Sequence, residues 1–291
     1  MTLTGIVLKG IGGFYYVETA GEVYECRARG IFRKDRVSPM TGDYVHITVN
    51  PDSENVIDEI LPRKNSFQRP PISNLDQLII VTSICEPNPN TLIIDKLTAI
   101  AHFKDIEAII VVTKADKRET DDLIKIYKNS GFQAYSVSGS SGEGVPEIKN
   151  VLQGHVSAFT GNSGVGKTTL INCIDKELVL KTGEISHKLG RGKHTTRYTE
   201  LYKVSGGYVA DTPGFTSLDF GNDESVFRDD LQFCFKEFAP LLGKCRFSTC
   251  SHLTDAGCSI REAVEKGTIE QSRYDSYKAI YSEVKTRERW N

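Results

Sequence analysis

The chain has 291 residues, of which 36 are Lys or Arg and 38 Asp or Glu, for a formal net charge of -2 at pH 7; 39% are hydrophobic and 25% charged. That balance excludes a disordered chain and a nucleic-acid binder held by overall charge, so any contact with RNA must come from local patches. No apolar run is long enough to span a membrane and the start carries no basic-then-apolar leader, so a cytoplasmic protein with no membrane partner is expected.

Residues 1 to about 65 read as five short strands: Ile6–Leu8, Phe14–Val17, Val23–Ala28, Tyr44–Val49 and Val56–Ile60. Gly12-Gly13, Ala20-Gly21 and Thr41-Gly42-Asp43 punctuate them as turns. Such a pattern predicts a small closed barrel; the OB-fold, which often binds oligonucleotides on one face, is the natural candidate, and another small barrel would give the same pattern. Arg27, Arg29, Arg33, Lys34 and Arg36, then Arg63, Lys64 and Arg69, lie near Phe14, Tyr15, Tyr16, Phe32 and Phe67 in sequence. Cations for phosphates and rings for stacking suit single-stranded RNA. The same residues describe equally well a solvated charged face over an aromatic core.

From Leu75 the pattern changes to alternating strands and helices, which predicts a doubly wound parallel sheet. Leu78–Thr82 and Ala108–Val112 are strands, with a helix from Pro89 to Ala101 between them. The second strand runs into Thr113-Lys114-Ala115-Asp116. There a carboxylate at the strand's C-terminal edge can accept from the N1–H and exocyclic amine of guanine. Thr113 stands where Asn is more usual, an exchange that points to a looser tie between this loop and the phosphate loop. A helix over Asp121–Asn129 and a strand over Ala134–Val137 follow. They lead to Ser138-Gly139-Ser140-Ser141-Gly142, similar to a second base loop whose backbone N–H meets the guanine oxygen.

The strand His155–Thr160 feeds Gly161-Asn162-Ser163-Gly164-Val165-Gly166-Lys167-Thr168-Thr169, and a helix over Lys167–Ile174 follows. This is G-x-x-x-x-G-K-[ST] in its required strand–loop–helix setting. Glycines turn backbone N–H groups onto a polyphosphate, Lys167 reaches the terminal phosphates and the Thr168 hydroxyl holds Mg²⁺. The polar stretch Thr182–Thr199 contains Gly190-Arg-Gly-Lys-His194-Thr195-Thr196-Arg197 and reads as a functional loop. Thr196, with Thr195 as the neighbouring choice, is the expected second threonine on Mg²⁺. Strands Leu201–Val204 and Tyr208–Ala210 end at Asp211-Thr-Pro-Gly214, where Asp211 would position Mg²⁺ through water and the Gly214 N–H would meet the γ-phosphate.

The base elements thus precede the phosphate loop, the reverse of the usual small-GTPase order, which is a circular permutation. Phe215 follows Gly214, so no glutamine orients the attacking water there. His194 is the titratable candidate among the motifs, with Lys193 and Arg191 available to offset phosphate charge; an exposed or RNA-facing loop histidine fits the same position.

Of seven cysteines, Cys245, Cys250 and Cys258 cluster around His252 while Cys26, Cys85, Cys173 and Cys234 are scattered. Three thiolates and an imidazole fill a tetrahedral zinc site, structural and not hydrolytic, in a reducing compartment. Helices are expected at Asp229–Phe238 and from Ile260 to about Arg289.

Taken together, Thr113–Asp116, Gly161–Thr169, Gly190–Arg197, Asp211–Phe215 and the Cys245, Cys250, His252, Cys258 set resemble the RsgA family (also called YjeQ or YloQ), the ribosome small-subunit-dependent GTPases, over essentially the whole chain. The resemblance implies a multidomain protein. Residues 1–66 would form an OB-fold RNA-binding domain, 67–221 a circularly permuted α/β P-loop GTPase core, and 222–291 a mostly helical zinc-binding domain. It implies Mg²⁺-dependent hydrolysis of GTP to GDP and phosphate, stimulated by the 30S subunit late in its maturation, with release of the factor afterwards. It also implies contact with the 30S subunit and its 16S rRNA through the OB and zinc domains, and a role for His194 in hydrolysis. The chain is expected to act as a monomer. A rival reading is a nucleotide-gated RNA-binding scaffold with little turnover.

Overall fold

Val7, Val17, Cys26, Val45, Ile47 and Ile57 share one core, none more than 1% exposed. They come from β1 (Thr2–Ile11), β2 (Phe14–Thr19), β3 (Glu22–Ala28), β4 (Tyr44–Thr48) and β5 (Asn55–Ile60), one or two residues per strand, as strands with one buried face supply them. β1 pairs antiparallel with β2 and with β4, β2 antiparallel with β3, β3 parallel with β5, and β5 antiparallel with β4. The ring therefore closes into the five-stranded barrel that the strand pattern predicts. Cys26 is part of the filling, and burial pushes its thiol up to about 11.

The computed structural model describes residues 1–30, 32, 37–175, 199–211 and 226–287. Two units are distinguished by their contacts: one of Met1–Gln77, Pro146–Phe159 and Thr168–Phe215, the other of Leu78–Val145, Thr160–Lys167 and Thr216–Asn291.

In the first unit β1 does more than close the barrel. Its register with β2 shifts between Val7 and Lys9, a bulge of the kind that bends a strand. Beyond it β1 leaves β4 and pairs with β12 (Glu200–Val204), which forms an antiparallel hairpin with β13 (Gly207–Asp211). β13 in turn pairs parallel with β11 (Val156–Thr160). A two-stranded ribbon, β6 (Ser66–Gln68) and β7 (Pro71–Ser73), follows the barrel.

The cations proposed for RNA fare unevenly. Asp43 is wholly buried and accepts from Arg63 Nε at 2.6 Å and Nη2 at 2.7 Å, from Ser73 Oγ at 2.6 Å and from the Met40 amide at 2.8 Å. Arg63 is thus a structural clamp, and Lys64 is ion-paired with Asp76. Arg27 pairs with Glu54 at 3.0 Å while lying over the Phe14 ring, and Arg29 pairs with Asp58 at 2.7 Å. Phe67 is core. Arg33, Lys34 and Arg36 lie outside the described residues.

In the second unit the strands run in the order β10 (Gln133–Val137), β9 (Glu107–Thr113), β8 (Gln77–Ser83), with β10 and β9 parallel. β8 is buried along its whole length, as a strand covered on both faces must be. Helix α1 (Thr91–Phe103) starts two residues later than expected because Asn90 caps it, its side chain accepting from the Ile93 amide. α2 (Asp121–Asn129) falls where its pattern predicts. Two further helices fall mostly in the first unit. One that went unread, α3 (Val145–Leu152), buries Val145, Ile148 and Leu152; Pro146 in its first turn was the available signal. The other, α4 (Lys167–Ile174), matches its expected span.

Both C-terminal helices are shorter than expected. Asp229–Phe238 is two 3₁₀ helices, Arg228–Cys234 and Lys236–Leu241, separated by Phe235 in an extended conformation. Phe235 is wholly buried, stacked on Phe238 and edge-on to Tyr277, so packing of one ring overrides helical continuity. The span from Ile260 breaks into α5 (Ser259–Glu265) and α6 (Gln271–Val284) at Gly267, whose φ of +71° ends α5 as a C-terminal glycine does.

Arg273 of α6 is completely buried. It donates from Nη1 to Asp95 Oδ1 at 2.7 Å and Thr98 Oγ1 at 2.8 Å on α1, and from Nε to Glu237 Oε1 at 2.7 Å. The rings of Phe132 and Phe235 lie within 5.3 Å and 5.0 Å of its guanidinium. Burial raises the Asp95 carboxyl and Arg273 pulls it back. Arg273→Met leaves a buried carboxylate without its cation, so denaturant unfolding of the full chain should show a loss of about 3–5 kcal/mol.

Candidate active site and metal centre

Gly161 takes a φ of +139°, Gly164 +78° and Gly166 +93°, backbone states that a side chain disfavours. A Cβ on Gly161 would also collide with the Val81 carbonyl oxygen. Asn162, Ser163 and Gly164 are exposed and Val165 is buried beneath them, so the loop turns its polar backbone outward over an apolar anchor. The Lys167 ammonium is held by the carbonyls of Gly161 and, at 2.8 Å, Asn162. Burial lowers its pKa. Thr168 and Thr169 follow as exposed residues in the first turn of α4.

Thr113, the last residue of β9, donates its hydroxyl to the Val165 carbonyl at 2.5 Å, with the Thr82 carbonyl next nearest at 3.1 Å. The looser tie expected from replacing Asn is therefore not found: a threonine hydroxyl joins the base loop to the phosphate loop directly. Lys114 adopts a φ of +61° and is held by the carbonyls of Glu86 and, at 3.3 Å, Cys85. The Ala115 amide bonds the Val137 carbonyl. Asp116 is exposed, and Ser138 donates to its Oδ1 at 2.9 Å. That bond is the main reason its carboxyl sits below the ordinary aspartate range, which keeps it ionised and acceptor-only at neutral pH.

Ser138 therefore works through its side chain, a role the motif did not suggest. Its own amide is engaged by the Glu143 carbonyl at 3.0 Å, and its hydroxyl also meets Ser140 Oγ and the Ser141 amide. Gly139 stands next to it at the tip of this turn. The base loops and the loop carrying Lys167 thus belong to one bonded array in the second unit. Asp211 ends β13. His194, Thr195, Thr196, Gly214 and Phe215 lie outside the described residues.

The four C-terminal candidates converge. One ligand atom from each of Cys245, Cys250, His252 and Cys258 lies within 4.8 Å of the others. Cys245 Sγ and Cys258 Sγ each stand 3.5 Å from His252 Nδ1. Zinc–sulfur and zinc–nitrogen bonds of about 2.3 and 2.0 Å at the tetrahedral angle put S and N about 3.5 Å apart. The donor set fits a soft tetrahedral cation with every position filled by protein.

Residues that sequence reasoning missed hold it in shape. Gln232 Oε1 stands 3.1 Å from His252 Nε2, so that nitrogen carries the proton and Nδ1 faces the sulfurs as a lone pair. Tyr274 donates to the His252 carbonyl at 2.8 Å and Tyr277 to the Ser251 carbonyl at 2.9 Å. These tyrosines stand three residues apart on α6, a spacing that places them on one face of the helix.

A phosphate loop and a Thr-Lys-x-Asp base loop joined on one α/β unit, met in the opposite chain order from Ras-like proteins, define a circularly permuted GTPase. The profile described as "RsgA GTPase" matches residues 60–221 and that described as "RsgA N-terminal domain" residues 4–57. This chain belongs to the RsgA GTPase family. It is 43% identical over 291 residues to the small ribosomal subunit biogenesis GTPase RsgA of Caldanaerobacter subterraneus, covering 99% of this chain and 97% of the relative. It is 40% identical over 294 residues to the protein of the same name from Bacillus subtilis, covering 97% and 98%. Among solved structures, YloQ, described as a circularly permuted GTPase, superposes with a TM-score of 0.83 at 32% identity over 100% of this chain and 98% of that one. YjeQ from Thermotoga maritima gives 0.84 at 34% identity over 99% and 100%.

Gln232→Leu removes the acceptor behind His252 without touching a ligand. Competition with a chromogenic chelator should show the cluster's affinity for added Zn²⁺ falling by about 10- to 100-fold.

Proposed function

We propose that this GTPase acts in late maturation of the small ribosomal subunit: it binds the 30S particle, hydrolyses GTP under its stimulation, and leaves on hydrolysis. The bond from Thr113 to the phosphate loop carries the nucleotide reading, because it ties a guanine-type base loop to a loop shaped for polyphosphate. The printed role of the relatives supports the ribosomal part. In this reading the chain divides into 1–66, 67–221 and 222–291. The barrel and the metal domain face 16S rRNA, and the protein works as a cytoplasmic monomer.

In the mechanism, Asp116, ionised and oriented by Ser138, accepts from guanine's N1–H and amine, donors that adenine lacks in that arrangement. The N–H groups of Gly161–Thr169 and the Lys167 ammonium spread the charge that develops on the transferring phosphoryl group. Thr168 and Thr196 would hold Mg²⁺, Asp211 would help position it, and the Gly214 N–H would meet the γ-phosphate. Mg²⁺ supplies neutralisation of phosphate oxygens when bound. With Phe215 in place of the usual glutamine, His194 orients the attacking water. Cys245, Cys250, His252 and Cys258 would hold Zn²⁺ in a structural role.

Phosphate release from GTP and from ATP, with and without purified 30S subunits, tests the whole reading. Stimulation confined to GTP is expected, and Lys167→Ala should reduce the stimulated rate by about 10²–10³-fold. Slow turnover that 30S leaves unchanged would favour the scaffold. Asp116→Asn exchanges an acceptor for a donor. GTP should bind about 10- to 100-fold more weakly, and xanthosine triphosphate, with a carbonyl in place of the amine, should become the preferred substrate.

A further inference from the structure

Thr41 and Thr199 are both buried, at 5% and 2% exposure, and lie 158 residues apart in sequence, yet the Thr41 hydroxyl donates to the Thr199 carbonyl at 2.9 Å. Thr199 is the residue before β12 and stands three positions after Thr196, the expected magnesium ligand. Thr41 closes the barrel segment that begins at Arg29 and carries Arg33, Lys34 and Arg36. One hydrogen bond therefore joins the end of the barrel's basic segment to the end of the stretch expected to sense the γ-phosphate.

The barrel side of this contact is rigidly mounted. The Thr41 carbonyl accepts from the Ser73 amide at 2.9 Å, the Gly42 amide bonds the Val7 carbonyl at 2.8 Å, and the next residue is Asp43 with its Arg63 clamp. Gly42, at a φ of +90°, could not carry a side chain, because a Cβ would strike the Ser73 carbonyl. A displacement of this segment is therefore passed on and not absorbed locally. Both threonines also line an open cleft with Gly12, Gly13, Phe14 and Met40, so the contact is within reach of something bound on the barrel. Nearby, Lys9 and Glu200 form a separate ion pair at 2.7 Å across the β1–β12 seam.

We propose that Thr41 is a positioning residue: by holding the Thr199 carbonyl it transmits RNA occupancy of the barrel to the stretch leading back to Thr196, and so links 30S binding to GTP hydrolysis. This rests on the ribosomal reading above. Linkage makes the coupling reciprocal for binding, so the nucleotide state must alter 30S affinity through the same contact.

The test uses the full chain with purified 30S subunits. Thr41→Val removes the donor at nearly constant shape, and Thr41→Ala is carried beside it in case the branched variant folds poorly. The measurements are GTP turnover with and without 30S, and 30S affinity in the presence of GDP or a non-hydrolysable GTP analogue. Unstimulated turnover should stay at the wild-type value. Stimulation should fall about fivefold, the worth of one neutral hydrogen bond, with a matching narrowing of the affinity ratio between the two nucleotide states. Thr41→Ser, which keeps the hydroxyl, should restore both. Equal stimulation of Thr41→Val, Thr41→Ala and wild type overturns the proposal. So does an equal loss in Lys9→Met, which loosens the same seam without touching Thr41. A wild-type chain that 30S fails to stimulate overturns the ribosomal reading as well, which distinguishes the two failures.

Discussion

The nucleotide site depends on the hydrogen bond from the Thr113 hydroxyl to the Val165 carbonyl, which spans 52 residues of sequence. A guanine reader and a phosphate cradle are useful only at the separation that one nucleotide imposes, and error in that separation is felt in both binding and rate. Gly166 packs beside this bond: a Cβ there would stand 3.4 Å from the Thr113 oxygen, an ordinary contact, so its φ of +93° and not a lack of space is what favours glycine.

Much of this architecture was legible in the sequence because its signals are local. The five barrel strands announce themselves by short apolar runs between glycine turns. The phosphate loop does so by a strand, a glycine pattern and a helix in succession, and the metal site by the crowding of soft ligands within fourteen residues. What was illegible depends on partners far along the chain. Nothing near Ser138 says that its hydroxyl orients Asp116, and nothing near Gln232 says that it stands behind His252. Arg63 looked like an RNA contact because its partner Asp43 lies twenty residues earlier. The C-terminal helices were overextended for a related reason: helical periodicity continues through Phe235, whereas the burial of its ring against Tyr277 is a tertiary fact.

Among the described residues, Asp43–Arg63 in the first unit and Asp95–Arg273–Glu237 in the second are ionic nodes built on a buried carboxylate. Such nodes add little net stability compared with well-packed apolar residues, but they tolerate few alternative arrangements. Arg273 illustrates the point: three acceptors and two ring faces fix α6 against α1 and the second 3₁₀ helix in one geometry. The Cys245, Cys250, His252, Cys258 donor set is tied to the same helix through Tyr274 and Tyr277, so it inherits the register that Arg273 sets. The charge pairs have a second effect on the barrel. With Arg27, Arg29 and Arg63 partnered by carboxylates, electrostatic attraction for RNA falls to fewer cations than the composition suggests, in keeping with the near-neutral total.

The permuted order gives the β12–β13 hairpin its importance. Residues 176–198 run from α4 into β12, and β12 is hydrogen-bonded to β1 of the barrel, so the stretch that carries Thr196 ends on a strand of the barrel's own sheet. Sheet register cannot change in small steps, because a one-residue slip would turn every side chain of β12 to the opposite face. Lys9–Glu200 and Lys203–Glu18 further oppose sliding along this seam. On the coupling proposed above, a signal from the barrel must therefore travel by a rigid shift of the whole hairpin or by exchange of a few bonds at its edge. Of these, the bond at Thr199 lies nearest in sequence to the residue expected on Mg²⁺.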